Sequence, residues 1–105
     1  MIVNLTPNMI IIIDNRGNPV HSYKPSGLIA RLEYEQIIFS GIEAENIPLA
    51  QIHNKKIQGL PPQKENVLYI VDPLVAYHLK GQRDDLLFVQ DDNSHTIQTD
   101  RFLIP

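Results

Sequence analysis

Three consecutive charged residues, Arg83, Asp84 and Asp85, form the densest group of chemically useful side chains in this sequence. They lie between two apolar stretches, 67–71 and 86–89, so we expect them beside a structured core. Two carboxylates could bind a divalent cation, although neighbouring strand residues point to opposite faces and reach one cation only from a turn. The alternative is structural: Arg83 pairs with a carboxylate, and the aspartates accept hydrogen bonds from loop amides.

Asp72 follows the first of these apolar stretches and precedes Pro73. A carboxylate there could act as a general base, or it could cap a helix that begins at the proline. Capping explains the residue fully, and it is the interpretation that we favour. The catalytic alternative is a metal-dependent hydrolase or nuclease, in which Asp72, Asp84 and Asp85 bind a metal and an arginine binds phosphate.

A second group of residues could bind an anion. Arg31 stands among apolar neighbours and could hold a phosphate or carboxylate with two hydrogen bonds, or pair with Asp84 or Asp85. Lys24 and Ser26 belong to a turn that offers a cation, a hydroxyl and backbone N–H groups, but a phosphate site there needs a further donor such as Arg31. The alternative for this segment is an ordinary turn.

Composition excludes several functional classes. The chain has no cysteine, which removes disulfides and thiolate chemistry and fits a reducing cytosol. Its net charge is -3, and it has no basic block for strong nucleic-acid binding. The four histidines have no metal-binding spacing, so we predict neither a metal nor a cofactor: His21, His53, His78 and His95. The apolar run at 9–13 is too short to span a membrane, and the N-terminus does not resemble a signal peptide.

The pattern of apolar residues predicts one mainly β domain over residues 1–105. We expect a compact antiparallel or mixed barrel or sandwich of about seven strands, with a polar loop at 41–46 and one short helix at about 73–80. Asn15 to Asn18 should form the turn of a hairpin between 9–13 and 20–23. Because a helix joins the strands at 67–71 and 86–89, these two should run parallel.

Six motifs follow one another in a fixed order: Ile2-Val3-Asn4-Leu5-Thr6-Pro7, Pro25-Ser26-Gly27 with Ala30-Arg31, Gly59-Leu60-Pro61, Tyr69-Ile70-Val71, Leu74-Val75-Ala76 and Arg83-Asp84-Asp85. Together, over Ile2 to about Leu86, they make the chain resemble a family of small, mostly uncharacterised proteins of tailed phages, prophages and some bacteria. The resemblance implies a phage accessory protein or a bacterial cytoplasmic protein, and it implies no activity. The family usually has histidine where this chain has Asn8, and serine where it has Asp72.

These observations favour a non-enzymatic binding protein that engages a host protein or a small anionic ligand such as a nucleotide. The residues expected to contact the ligand are Lys24, Ser26, Arg31, Arg83, Asp84 and Asp85. Apolar edge strands predict a homo-oligomer. The alternatives are the metal-dependent hydrolase described above and a structural or assembly subunit.

Overall fold

The computed structural model of the chain is mainly β, as the sequence predicts. It describes residues 1–90 and 95–105, without the side chains of 34–39 and 51–55. The elements of the described part are β1 (Ile2–Asn4), β2 (Met9–Ile13), β3 (Pro19–Tyr23), β4 (Arg31–Ala44), β5 (Ile47–Gln58), β6 (Leu68–Ile70), α1 (Pro73–His78), β7 (Leu86–Leu87) and β8 (Thr96–Thr99). In this part of the chain, no helix is long and apolar enough to cross a bilayer.

The central sheet consists of β1, β6 and β7 in the order β1-β6-β7, with all strands parallel. Ile2 pairs with Leu68, and Tyr69 pairs with Leu86. The predicted parallel arrangement of the strands on either side of the helix is therefore confirmed. The helix is two residues shorter than predicted, because the chain after His78 continues as a turn that ends near Gly81.

A second sheet has the order β3-β2-β8. The predicted hairpin between β2 and β3 is confirmed, and the Asp14 carboxylate stabilises its turn by accepting hydrogen bonds from the backbone N–H groups of Arg16 and Asn18, both at 2.9 Å. β8 lies parallel to β2 on the other side, with Met9 paired with Thr96. This sheet therefore joins β2 of the early hairpin to a strand that lies more than eighty residues later in the sequence.

The central sheet is buried on both faces, because its apolar side chains alternate between two clusters. Tyr69 and Leu86 pack on one side, against the helix residues Val75 and Ala76. The next residue of each strand packs on the other side, against the second sheet; this cluster comprises Ile10, Ile70, Leu87, Val89 and Ile97. The fold is therefore layered, with the helix, the central sheet and the second sheet in that order, and the described strands do not close into a barrel.

β4 and β5 form a long antiparallel hairpin, which we call the arm. The prediction of a polar loop at 41–46 is wrong, because β4 continues to Ala44 and only two residues form the turn. These residues, Glu45 and Asn46, have φ values of 52° and 63°, as a tight two-residue hairpin turn requires. The polar residues Glu43, Glu45 and Asn46 resemble a loop in sequence, although Glu43 lies in the ladder and the other two form its turn.

The arm makes the molecule elongated. Its principal extents are 53 × 32 × 24 Å, and its radius of gyration is 16.9 Å. A compact domain of this length has a radius of gyration of about 13 Å. At its base the arm packs on the core through Leu32 and Ile57.

Gly59 holds the base of the arm against the segment that leads into it. Its φ is +80°, and a Cβ at this position would collide with the backbone oxygen of Ile29. We therefore expect Gly59→Ala to lower the free energy of unfolding by roughly 2–4 kcal/mol, since backbone strain and a collision add. Gly17 is the matched control, because its φ is +81° but a Cβ there meets no atom within 4 Å.

Urea denaturation of the two glycine variants checks this prediction. Gly17→Ala should lose only the cost of the left-handed backbone, about 1 kcal/mol. Equal losses in both variants would contradict the close packing at Gly59.

Candidate functional site

A cavity of about 320 Å³ opens at the carboxyl ends of the three parallel strands. The segments that leave these strands form much of its wall: 6–8 after β1, 71–74 after β6 and Val89 after β7. Residues 29–32, where the chain enters the arm, form another part, and Ile97 of β8 completes it. Ligands of open parallel sheets bind at this edge, because the loops that can form a site leave the sheet there.

The buried side chain of Asn4 positions the first of these segments. Its Oδ1 accepts hydrogen bonds from the backbone N–H of Thr6 at 3.0 Å and from Thr6 Oγ1 at 2.7 Å. Its Nδ2 donates to the carbonyl oxygens of Asn8 at 2.8 Å and Tyr23 at 3.0 Å. The segment 6–8 is thereby held against β3, with Thr6 and Asn8 in the cavity wall.

Asp72 caps the helix, as we favoured from the sequence. Its Oδ1 accepts a hydrogen bond from the backbone N–H of Leu74 at 2.8 Å, and Pro73 occupies the first turn. The residue also lines the cavity. Among the described residues, none donates a hydrogen bond to its second carboxylate oxygen, which therefore remains available to a ligand.

Arg31 is exposed and lines the same cavity. It has no hydrogen bond or ion pair with any residue that the structure describes. The pairing of Arg31 with Asp84 or Asp85, which we considered from the sequence, does not form. A guanidinium without a partner at the mouth of a mainly apolar cavity can bind an anion with two parallel hydrogen bonds.

Arg83 and Asp85 form a structural ion pair instead. Arg83 donates from Nε to Asp85 Oδ1 at 2.9 Å and from Nη2 to Asp85 Oδ2 at 2.7 Å. Nη2 also donates to the carbonyl oxygen of Pro61 at 3.1 Å. Asp85 is only 3% exposed, so its charge depends on this partner. Asp84 is exposed and accepts a hydrogen bond from Gln63.

The three aspartates proposed for a metal site do not come together. Asp72 follows the carboxyl end of β6, whereas Asp84 and Asp85 precede the amino end of β7. Asp85 lies beside Tyr69, whose N–H donates to its carbonyl oxygen at 2.9 Å. The three residues from Tyr69 to Asp72 span about 10 Å of extended chain, too far for one cation. Within residues 1–90 and 95–105, no three histidine, aspartate or glutamate side chains form a group that could hold a metal ion.

Lys24 and Ser26 lie outside the cavity wall. Ser26 donates its backbone N–H to the carbonyl oxygen of Asn4 at 3.0 Å, and its Oγ accepts from the N–H of Leu28 at 3.3 Å. The serine therefore stabilises its own turn, and Lys24 is exposed next to it. The six residues predicted as one ligand site thus separate, and only Arg31 lines the cavity.

Sequence reasoning missed Thr6 and Asn8 as cavity residues. The signal was weak but present, since an asparagine followed two residues later by threonine can form a side-chain-stabilised turn, as Asn4 does. Asn8 and Asp72, the two positions that depart from the resembled pattern, both line the cavity.

Comparison of the chain with protein-family models, curated proteins and solved structures found no match. The similarity to small phage and bacterial proteins stays a prediction from the six motifs.

Removal of Arg83 should destabilise the protein strongly. Arg83→Met leaves the buried carboxylate of Asp85 without its partner, and breaking such a pair costs about 3 kcal/mol. Thermal and urea denaturation measure the loss. The control is Arg101→Met, which removes the exposed pair with Asp100 and should leave the unfolding midpoint nearly unchanged. A midpoint for Arg83→Met equal to that of the control would contradict a structural role.

The same pair makes stability depend on pH. Hydrogen bonds from Arg83 hold the pKa of the Asp85 carboxyl below its ordinary value of 3.8. A folded-state pKa below the unfolded one gives stability that is complete above pH 3.8 and is lost as the pH falls further. Between about pH 4 and pH 2, the stability of the wild type should fall more steeply than that of Asp85→Asn. Parallel curves would show that the pair does not contribute.

Proposed function

We propose that this protein is a non-enzymatic binding protein that holds a small anionic ligand, such as a nucleotide, in the cavity at the carboxyl ends of β1, β6 and β7. One observation carries the proposal: the guanidinium of Arg31 stands at the cavity without an intramolecular partner among the described residues. A group of this kind is already placed for a phosphate or carboxylate, and no ion pair with a described residue must break before the ligand binds.

The chemistry of the wall fits a ligand with an apolar part and a charged part. Ala30, Val71, Val89 and Ile97 are buried apolar residues that form one portion of the wall. Thr6, Asn8, Arg31 and Asp72 supply the polar groups. A nucleotide offers a flat base to the apolar portion of the wall and a phosphate to the guanidinium of Arg31. Its N–H and hydroxyl groups can donate hydrogen bonds to the second carboxylate oxygen of Asp72. The volume of about 320 Å³ is at the lower end of small-molecule sites.

The hydrogen bonds of the cavity residues favour binding over catalysis. The hydroxyl of Thr6 donates to the side-chain amide oxygen of Asn4, which is not a base and cannot activate it as a nucleophile. The carboxylate of Asp72 is engaged with the helix N-terminus through one oxygen. The separation of Asp72 from Asp84 and Asp85 counts against the metal-dependent hydrolase.

The biological setting that we propose follows from the resemblance. A small phage accessory protein in the bacterial cytoplasm could sequester a nucleotide signal, and this activity needs only a site that binds and does not turn over. Engagement of a host protein is the other form of the same proposal, and the exposed apolar residues of the cavity wall, Ile29 and Leu74, support it.

Calorimetric titration with linear and cyclic nucleotides tests the proposal. We expect at least one to bind wild-type protein, and we expect Arg31→Met to weaken that binding by roughly ten- to a hundredfold through loss of a charge-assisted contact. The matched control is Arg16→Met, an exposed arginine in the turn between β2 and β3, which should bind like the wild type.

Two results would contradict the proposal. One is the absence of measurable heat, and of any shift in melting temperature, with every nucleotide tested. The other is equal binding by the wild type and Arg31→Met, which would place the ligand elsewhere. Conversion of the bound nucleotide, followed by chromatography, would favour the enzymatic alternative.

A further inference from the structure

The side chains of the cavity wall can hold little negative charge. Among the described residues of the wall, only Arg31 and Asp72 are charged, and they do not form an ion pair with each other. One guanidinium can hold a phosphate group with two parallel hydrogen bonds. A carboxylate in the same wall repels any further negative charge that the ligand brings. The charged side chains therefore suit a ligand with a single negative charge.

The backbone of the wall adds little capacity for an anion. Sites that hold several phosphate charges use free backbone N–H groups that converge on the ligand. Two residues of this wall are prolines, which have no N–H group: Pro7 and Pro73. In three others the N–H group already donates to an acceptor inside the protein: Thr6, Asn8 and Ala30. The guanidinium of Arg31 therefore remains the main group for a phosphate.

Asp72 itself occupies the start of the helix, where an anion could otherwise bind. Its Oδ1 accepts a hydrogen bond from the N–H of Leu74 at 2.8 Å, and Pro73 offers no N–H. The carboxylate thus takes the place that a ligand phosphate would need. Its second oxygen can accept a hydrogen bond from a neutral donor such as a ribose hydroxyl, but it repels an ionised phosphate oxygen.

The size of the cavity and the position of its polar groups limit the ligand further. A volume of about 320 Å³ is small for a ligand site, so we expect it to hold one nucleotide unit rather than two. Buried apolar residues such as Val71 and Ile97 form the part that can hold a base, whereas Arg31 and Asp72 are exposed. The phosphate and the sugar of a bound nucleotide should therefore lie near these two charged residues.

We propose that the ligand is a mononucleotide whose phosphate is a diester, as in a 3′,5′-cyclic nucleotide, and that Asp72 selects it. This inference rests on the proposed function and specifies the ligand class of the same cavity. A phosphodiester carries a single negative charge, whereas a phosphomonoester carries about 1.5 to 2 near pH 7. Di- and triphosphates carry more. In a 3′,5′-cyclic ribonucleotide, the 2′-hydroxyl also stays free to donate to Asp72.

Calorimetric titration of the wild type with matched ligands tests the charge preference. For each common ribonucleoside, the probes are the 3′,5′-cyclic phosphate, the 5′-monophosphate and the 5′-(methyl phosphate). The last is a linear diester, which differs from the monophosphate by a methyl group and the loss of the second charge. For at least one nucleoside, we expect both diesters to bind about tenfold or more tighter than the monophosphate, because a second charge near Asp72 meets repulsion.

Asp72→Asn separates the charge of this residue from its capping role. Asparagine caps helices as well as aspartate does, so the melting temperature should stay close to that of the wild type. We expect the preference for the diesters to fall below about threefold, because the monophosphate binds more tightly once the repulsion is gone. Asp72→Ser, also a good cap without charge, replaces this variant if it does not fold. Glu65→Gln is the matched control, since it removes a charge from an exposed residue outside the wall and should keep the wild-type preference.

The outcomes distinguish this inference from the proposed function. Absence of binding with every nucleotide contradicts both. Binding that requires Arg31 but is as tight for the monophosphate as for the diesters leaves the proposed function intact and overturns this inference. A protein with Asp72→Asn that keeps the full wild-type preference also overturns it, because the selection would then not depend on this carboxylate.

Discussion

The side-chain amide of Asn4 makes four hydrogen bonds inside the protein, and the rest of the cavity depends on them. Both amide hydrogens and both lone pairs of the oxygen are used, so the group is fully satisfied although it is only 2% exposed. Through these bonds an edge strand of the central sheet is tied to β3 of the second sheet. An apolar residue at this position could fill the space, but it would remove the hydrogen bonds that Asn4 makes to the N–H of Thr6 and to the carbonyl groups of Asn8 and Tyr23.

The position of Arg31 follows from this arrangement. After the turn at Ser26 the chain runs beside the end of β1, where the N–H of Ala30 donates to the carbonyl oxygen of Leu5 at 3.0 Å. The next residue begins the arm and leaves the core, which places its guanidinium at the cavity rather than inside the protein. Arg83 is in the opposite situation. It lies at the other end of the sheet and neutralises a buried carboxylate, so the two arginines have different roles.

Local signals in the sequence predicted local structure well. The Asp72-Pro73 cap and the turn at 15–18 both depend on residues that are close in sequence. The cavity could not be predicted in the same way, because it requires β1 to lie beside β6 and β8 to lie beside β2. No local residue pattern predicts pairings between strands that are so distant in sequence. The arm was missed for another reason: Glu45 adopts a positive φ that is uncommon for its type, so the polar residues around it read as a loop.

The strand order also bears on how the chain reaches this fold during synthesis. β1 and β2 leave the ribosome well before their partners β6 and β8, which lie far along the chain. Such distant, parallel pairings form slowly, because the chain loses the entropy of a long loop before the paired strands make any stabilising contact. The arm is the opposite case, since β4 and β5 are joined by two residues and their ladder can close without help from either end. In newly made chains the arm is therefore the first long ladder that can pair, and it gains its support only when Leu32 and Ile57 at its base pack on the completed core.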